Sequence, residues 1–597
     1  MKLPTVLSAI LLALAISAAN AQTTEPDKAA PPADQAKPAT PANPATATQT
    51  TGRETAPDAK ALTDASRIND PVKKIEALEK FKKDFPTSAS LTTADMDILS
   101  TVASRMPDQK ARVQTLAKSI YSGGKDKQEK GSRAGRIAET LLTNNLLLKD
   151  AEKYAKTSLA AMDQTEYLAD QKAQFAKRAA NSAGRGGDSG RGGRGGQSPS
   201  DEELIKRFKQ NRATRVGTLG RIEFKLGKTS AAQKLLDESY GVNPDQPAVL
   251  GTLGELAAKQ GDNPKALDHL ITAKLSGKAP PSANLALVAV YSKTHNGSPA
   301  GLDALLDAEY HKRFPNPVHV EAYKPTEKRS DRLVLAEVFT GSGCPPCVGA
   351  DLAFEAAMER YPRKDLAVVM YHLHVPQPDP MTNPDTQARS KYYNVTGVPT
   401  YAVDGKTLGG GGGGREGTKG IFDRIQTPIE KGLETAAEAR LTVNASASGN
   451  SVNVTAAVDD VKSDSKDLKL HILLIEKELT YSGENGIRFH PMVVRAMGGK
   501  DDDGFALAPG TAASFNQAWD LDKVSAGLKA HLDDYEATGH RGNAFKFSEK
   551  KYQIDRGDLA IVVFVQDAKT RHILQSVFVD LNPSVPHVPT DNASGSK

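Results

Sequence analysis

The sequence predicts a multidomain chain: an α-helical repeat region, then an α/β domain, then a C-terminal β-sandwich. Three observations carry this. A 34-residue repeat recurs between Thr218 and Leu270; the apolar period changes from helical to alternating at Arg332; and short alternating segments with turn residues run from about Ala437 to Leu581. At 597 residues the chain is too long for one core. Hydrophobic and charged contents of 39% and 25% are ordinary for a soluble protein. The net charge of +5 mixes Lys and Arg with Asp and Glu instead of clustering them, so charge decides nothing about partners, and nothing else in the sequence leads to the expectation of a nucleic-acid partner.

Residues 1–21 read as a secretory signal. Lys2 precedes an apolar run from Val6 to Ile16, and Ala19-Asn20-Ala21 is a small-residue cleavage site. The run is short for a membrane span, and no later stretch is long and apolar enough, so no stable membrane insertion is expected after cleavage. The expected location is periplasmic or secreted, an oxidising space. Residues 22–65, rich in Ala, Pro and Thr, read as a disordered linker.

Residues 66–325 read as helical. Ile75, Leu78, Phe81 and Phe85 share a helical face before Pro86, and Ala151, Tyr154, Ala155 and Leu159 share another. In the repeat, Leu219-Gly220 aligns with Leu253-Gly254, Gly227 with Gly261, Ala232 with Ala266 and Leu236 with Leu270. The pattern resembles the tetratricopeptide repeat, in which small residues let paired helices approach closely. It departs where that family sets a large aromatic, since Glu223 and Ala257 stand there. The resemblance implies a surface for a protein partner. The Gly/Arg-rich stretch 184–197 reads as a flexible insert, and Gly409–Gly414 as a loose loop without the spacing of a phosphate cradle.

Residues 326–436 read as α/β. "RLVLAEVF" and Asp365–Val375 are strands, a helix carries Phe354, Met358 and Tyr361, and Gly397–Leu408 is a strand and hairpin turning at Asp404-Gly405. A further helix carries Ile421, Phe422, Ile425, Ile429 and Leu433. The only two cysteines, Cys344 and Cys347, flank two prolines at the first strand-to-helix junction. One close pair adds little stability, because the loop it closes is short. At a helix N-terminus, unpaired amides and the helix dipole stabilise a thiolate, so the spacing points to redox chemistry, with Cys344 as the exposed attacking sulfur and Cys347 resolving. Structural zinc would need a second pair. A copper site could recruit His372 or His374, which share one strand face, and an inert staple is the remaining reading. His490 is a weaker candidate for any role.

With Cys344-Pro-Pro-Cys347 and "GVPT" some fifty residues later, residues 332–435 resemble the thioredoxin-like family. The resemblance implies a thiol–disulfide oxidoreductase without cofactor or metal, acting on protein thiols or disulfides. It implies that Pro399 is cis against the cysteines and that Val398 and Thr400 pair with substrate. It further implies that an acid beneath the cysteines, here Glu337, takes a proton from Cys347. The family commonly places Trp before the first cysteine. Gly343 stands here, and the single tryptophan, Trp519, lies elsewhere, which implies a more open groove. The rival readings are a non-catalytic envelope scaffold and a copper-delivery protein.

Residues 437–582 read as strands in a β-sandwich. Leu441, Val443 and Ala445 turn at Gly449-Asn450 into Val452, Val454 and Ala456; Leu468, Leu470, Ile472 and Leu474 follow; Ala560, Val562 and Phe564 pair with Val577 and Val579. Residues 583–597 read as a disordered tail.

Overall fold

A computed structural model describes residues 56–183, 198–409, 411–499, 504–540 and 545–582. The expected signal, most of the linker, the Gly/Arg insert and the tail lie outside the described residues. The linker reading ends early, because Pro57–Ser66 is already a helix, with Pro57 at its first turn.

Among the described residues, thirteen helices run from Pro57 to Arg313, and no strand precedes Val334. Neighbouring helices pair, as Asp201–Lys225 does with Thr229–Val242 and Pro247–Gln260 with Asn263–Leu275. The repeated glycines have a steric reason. A Cβ on Gly220 would lie 2.9 Å from Leu236 Cγ, and one on Gly254 2.5 Å from Leu270 Cγ, so each contact joins the same two repeat positions. Glu223, at the aromatic position, is buried and is paired with Lys228 at 3.0 Å.

The strands are β1 (Val334–Thr340), β2 (Leu366–His372), β3 (Thr400–Val403), β4 (Lys406–Thr407), β5 (Arg440–Ser448), β6 (Ser451–Asp459), β7 (Leu468–Thr480), β8 (Phe489–Met497), β9 (Phe505–Leu507), β10 (Ala513–Asp520), β11 (Leu559–Asp567) and β12 (Ile573–Asp580). Nine form one mixed sheet in the order β12-β11-β7-β8-β2-β1-β3-β4, with β9 beside β7; β10-β6-β5 form a second sheet. β1 is parallel to β2 and antiparallel to β3.

This differs from the expected layout. The boundary at 436/437 falls between strands of one sheet, since β2 pairs with β8 through Met370 and Val493. The C-terminal strands do not form a body of their own. Leu473 and Ile475 of β7, with Ala560, Val562 and Phe564 of β11, face the core around β1 and β2. The alternate residues, Leu470, Ile472, Leu474, Ile561 and Val563, face a second core shared with Val452, Val454, Ala456 and Trp519 of the small sheet. Period-two alternation thus divides each of these strands between two cores.

The β11–β12 register is one residue from that expected: Val577 faces Val563, and Val579 faces Ile561. Two helices were not expected. Pro384–Tyr392 starts with a reciprocal cap between Asn383 and Thr386, and Leu521–Thr538 is capped by the Asp520 side chain. The β5–β6 and β3–β4 hairpins form as expected, the latter with Asp404 and Gly405 both at positive φ.

Candidate functional site

β1 is buried along its whole length and ends at Thr340. Gly341-Ser342-Gly343 then leads to Cys344, which caps a 3₁₀ turn, Pro345–Cys347, and Cys347 in turn opens the helix Val348–Arg360. The two prolines occupy the first turn, where a missing N–H leaves no bond unmade. Cys344 and Cys347 form a disulfide with a Cα–Cα distance of 5.3 Å. Pro345 and Pro346 are exposed, but Cys344 and Cys347 are only 1% and 0% exposed. The expectation of an exposed Cys344 is therefore corrected: the motif reaches the surface through its prolines, and the sulfurs lie beneath.

Val398–Pro399 is a cis peptide, and Cys344 Sγ lies 3.7 Å from the Val398 carbonyl oxygen. Thr400 begins β3 opposite Phe339, and its hydroxyl donates to Gly397 O. The structure thus brings Cys344, Cys347, Val398, Pro399 and Thr400 to one end of the sheet, where β1 ends and β3 begins.

Glu337 does not join them by hydrogen bonding. It is fully buried, not at a solvent edge, and it accepts from Arg389 Nε at 2.8 Å and from the Tyr371 and Tyr393 hydroxyls. Arg389 also donates to Gln566 of β11, so this cluster joins the helix Pro384–Tyr392 to the far part of the sheet. A second buried acid, Asp351, stands one helical turn after Cys347 in the helix that Cys347 opens. It accepts from Thr340 Oγ1 at 2.7 Å, and burial raises its carboxyl to about 7. The sequence signal was the lone acid in the apolar helix start "VGADLAF".

His372 and His374 follow different paths. His372 Nδ1 lies 2.9 Å from Asp379 Oδ2, and the same carboxylate accepts from Ser342 N, two residues before Cys344. Burial alone would raise the Asp379 carboxyl, but His372 and the Ser342 and Met381 amides hold it below the usual range. His374 Nδ1 accepts from Asp379 N, its ring packs on Tyr535, and burial lowers it to about 4. His490 packs edge-on against His372, is bonded through Nε2 to Tyr481 O and is lowered by burial to about 3. Among the described residues, no group of three or more His, Cys, Asp or Glu is arranged to hold a metal ion.

Two further segments clasp the motif. Of the glycine run, Gly410 lies outside the described residues, and Gly413 is held: its N donates to Pro346 O and Gly349 N donates to its O, both at 2.8 Å. A Cβ on Gly412 would overlap the Pro346 carbonyl, so only glycine permits this approach. Arg415, just beyond, donates to Phe314 O, Pro315 O and Tyr310 Oη of the helical region. On another side, the β7–β8 hairpin tip is tied down by Asn485 N to Ser342 O, and Ile487 packs on Val348 and Leu352.

No protein-family model matches the chain, and no curated protein matches it. Among solved structures, HBP35 of Porphyromonas gingivalis is similar over 45% of this chain and 81% of its own, at 17% identity and a TM-score of 0.29. A likeness this low carries no argument about fold or function.

Proposed function

We propose that the chain is an exported thiol–disulfide oxidoreductase acting on protein thiols or disulfides through Cys344 and Cys347, in a thioredoxin-like domain. The observation that carries this reading is the bonded pair at a helix start with Cys344 Sγ against the Val398 carbonyl, beside Pro399. A substrate thiolate attacks Cys344 Sγ; the Cys344–Cys347 bond breaks, and its electron pair leaves on Cys347 sulfur. Cys347 then takes a proton, and we assign its supply to Asp351, a buried carboxyl near 7 one helical turn further on. A second substrate thiolate attacks the substrate sulfur of the mixed disulfide and releases Cys344 as a thiolate. The substrate is oxidised by two electrons and the pair reduced; run backwards, the pair reduces a substrate disulfide.

Glu337 is less suited to that proton transfer, because its oxygens are held by Arg389 and two tyrosines. Val398 and Thr400 are the proposed backbone contacts for substrate. Attack requires the residues over the sulfurs to yield, since both cysteines are buried. The helical pairs, read as tetratricopeptide-like, would hold a protein partner, and the second sheet facing β7 and β11 gives the sandwich-like part of the reading.

The test is turnover of a protein disulfide, such as that of insulin, by the full chain with excess small thiol. Cys344→Ser should abolish turnover, and Cys347→Ser should accumulate a mixed disulfide through Cys344. Turnover unchanged by Cys344→Ser would overturn the assignment. Stoichiometric copper retained by the wild type and lost with either cysteine would favour the delivery reading, and absence of thiol turnover without copper would favour a scaffold.

A further inference from the structure

The sheet order puts β2 on one side of β1 and β3 on the other. β1 and β2 are parallel, so the segment that follows β2 leaves the sheet at the end where Cys344 lies. Cys344 therefore sits between two walls: Val398–Pro399 before β3, and Val375–Gln377 after β2. The second wall is laid along the backbone leading to the cysteine. A Cβ on Gly341 would lie 2.5 Å from Val375 O, and one on Gly343 would lie 2.7 Å from Gln377 Cβ. Gln377 thus fills the place that a side chain at 343 would take, and the groove is not left open there. Val375 itself is 42% exposed. Of the five large aliphatic side chains exposed among the described residues, the other four lie on helices of the N-terminal region. Val375, exposed Pro345 and Pro346, and half-buried Val398 are thus apolar positions on the three segments that flank Cys344.

We propose that Val375 is a specificity-determining residue: it favours extended polypeptides that carry an apolar residue beside the reacting cysteine. This rests on the reading of Cys344 and Cys347 as a reactive pair, which the wall could only select for. The tight packing of Gly341 and Gly343 fixes the wall, so a substrate side chain meets a formed surface.

The test uses the full oxidised chain and two synthetic dithiol peptides, one with Leu and one with Asp beside the first cysteine. Each peptide gives up two thiol protons and two electrons as its disulfide forms and the Cys344–Cys347 pair is reduced. Wild type should oxidise the Leu peptide about tenfold faster than the Asp peptide, the scale set by one apolar side chain in a pocket. Val375→Asp should bring that ratio to one or below while leaving the rate with dithiothreitol within about twofold. Val375→Thr, which keeps the shape, should cut the ratio by about threefold and guards against misfolding. A wild-type ratio of one, or a ratio unmoved in both variants, overturns the assignment of Val375. If wild type oxidises neither peptide nor dithiothreitol, the reactive-pair reading itself fails, and the proposal with it.

Discussion

Asp351 shows how one carboxyl is tuned by its surroundings. Buried, with one hydrogen bond from Thr340, it holds its proton to about pH 7, whereas its ordinary value is 3.8. Its contribution to folding is therefore full below pH 3.8 and is lost as the pH rises through 7. Asp351→Asn should match wild type in urea unfolding at pH 3.5 and exceed it at pH 8 by on the order of 2–4 kcal/mol. The same variant should remove an inflection near pH 7 from the rate at which the disulfide is reduced by dithiothreitol. A purely structural Asp351 would change the unfolding curves and leave that profile intact. Glu337 and Asp351 also show what a sequence leaves open at this scale. An acid before the cysteines is legible, but that Glu337 is engaged elsewhere depends on where Arg389, Tyr371 and Tyr393 stand, all distant in the chain.

At the scale of elements, the glycine run is the plainest case of composition misread. Six consecutive glycines suggest slack, yet Gly413 is bonded to Pro346 of the cysteine turn and to Gly349 of the helix after it, and Gly412 has no room for a side chain against Pro346. Gly412→Ala should speed hydrogen exchange at the Gly349 and Gly413 amides and lower stability, while Gly417→Ala, which meets nothing, should do neither. In the helical region, Gly254→Ala pushes a methyl into Leu270 and should cost about 1–3 kcal/mol in a denaturant titration. That contact was readable in advance, because the 34-residue offset aligned both partners. The helices Pro384–Tyr392 and Leu521–Thr538 were missed although each carries a capping residue, Asn383 and Asp520. The first buries Thr386 and Arg389 and has no apolar stripe, so its cap is a weak signal; the second carries Leu521, Val524, Leu528 and Leu532 at helical spacing, a stripe that was legible.

For the whole molecule, the strands on the two sides of residue 436 belong to one sheet. The runs "LHILLIE" in β7 and "LAIVVFV" in β11 are apolar at nearly every position, the mark of strands covered on both faces. Alternation alone marks one face of each run, and both faces are buried. In β7 the complement, Leu473 and Ile475, joins Ala560, Val562 and Phe564 of β11 in the core over β1 and β2; in β11 the complement, Ile561, Val563 and Val565, faces the second core. A fragment 326–436 should therefore show no cooperative thermal transition, whereas 326–582 should unfold in one. A cooperative transition in the shorter piece would show that β7, β8, β11 and β12 are dispensable. Gly277, in a turn of the helical region, leaves no room for a Cβ against Gly483 and Glu484 of the hairpin tip, and that tip holds Ser342. The joint has no slack. Bending the array would tug on the strap before the sulfurs, so these two turns have to lengthen or shorten together as the chain diverges.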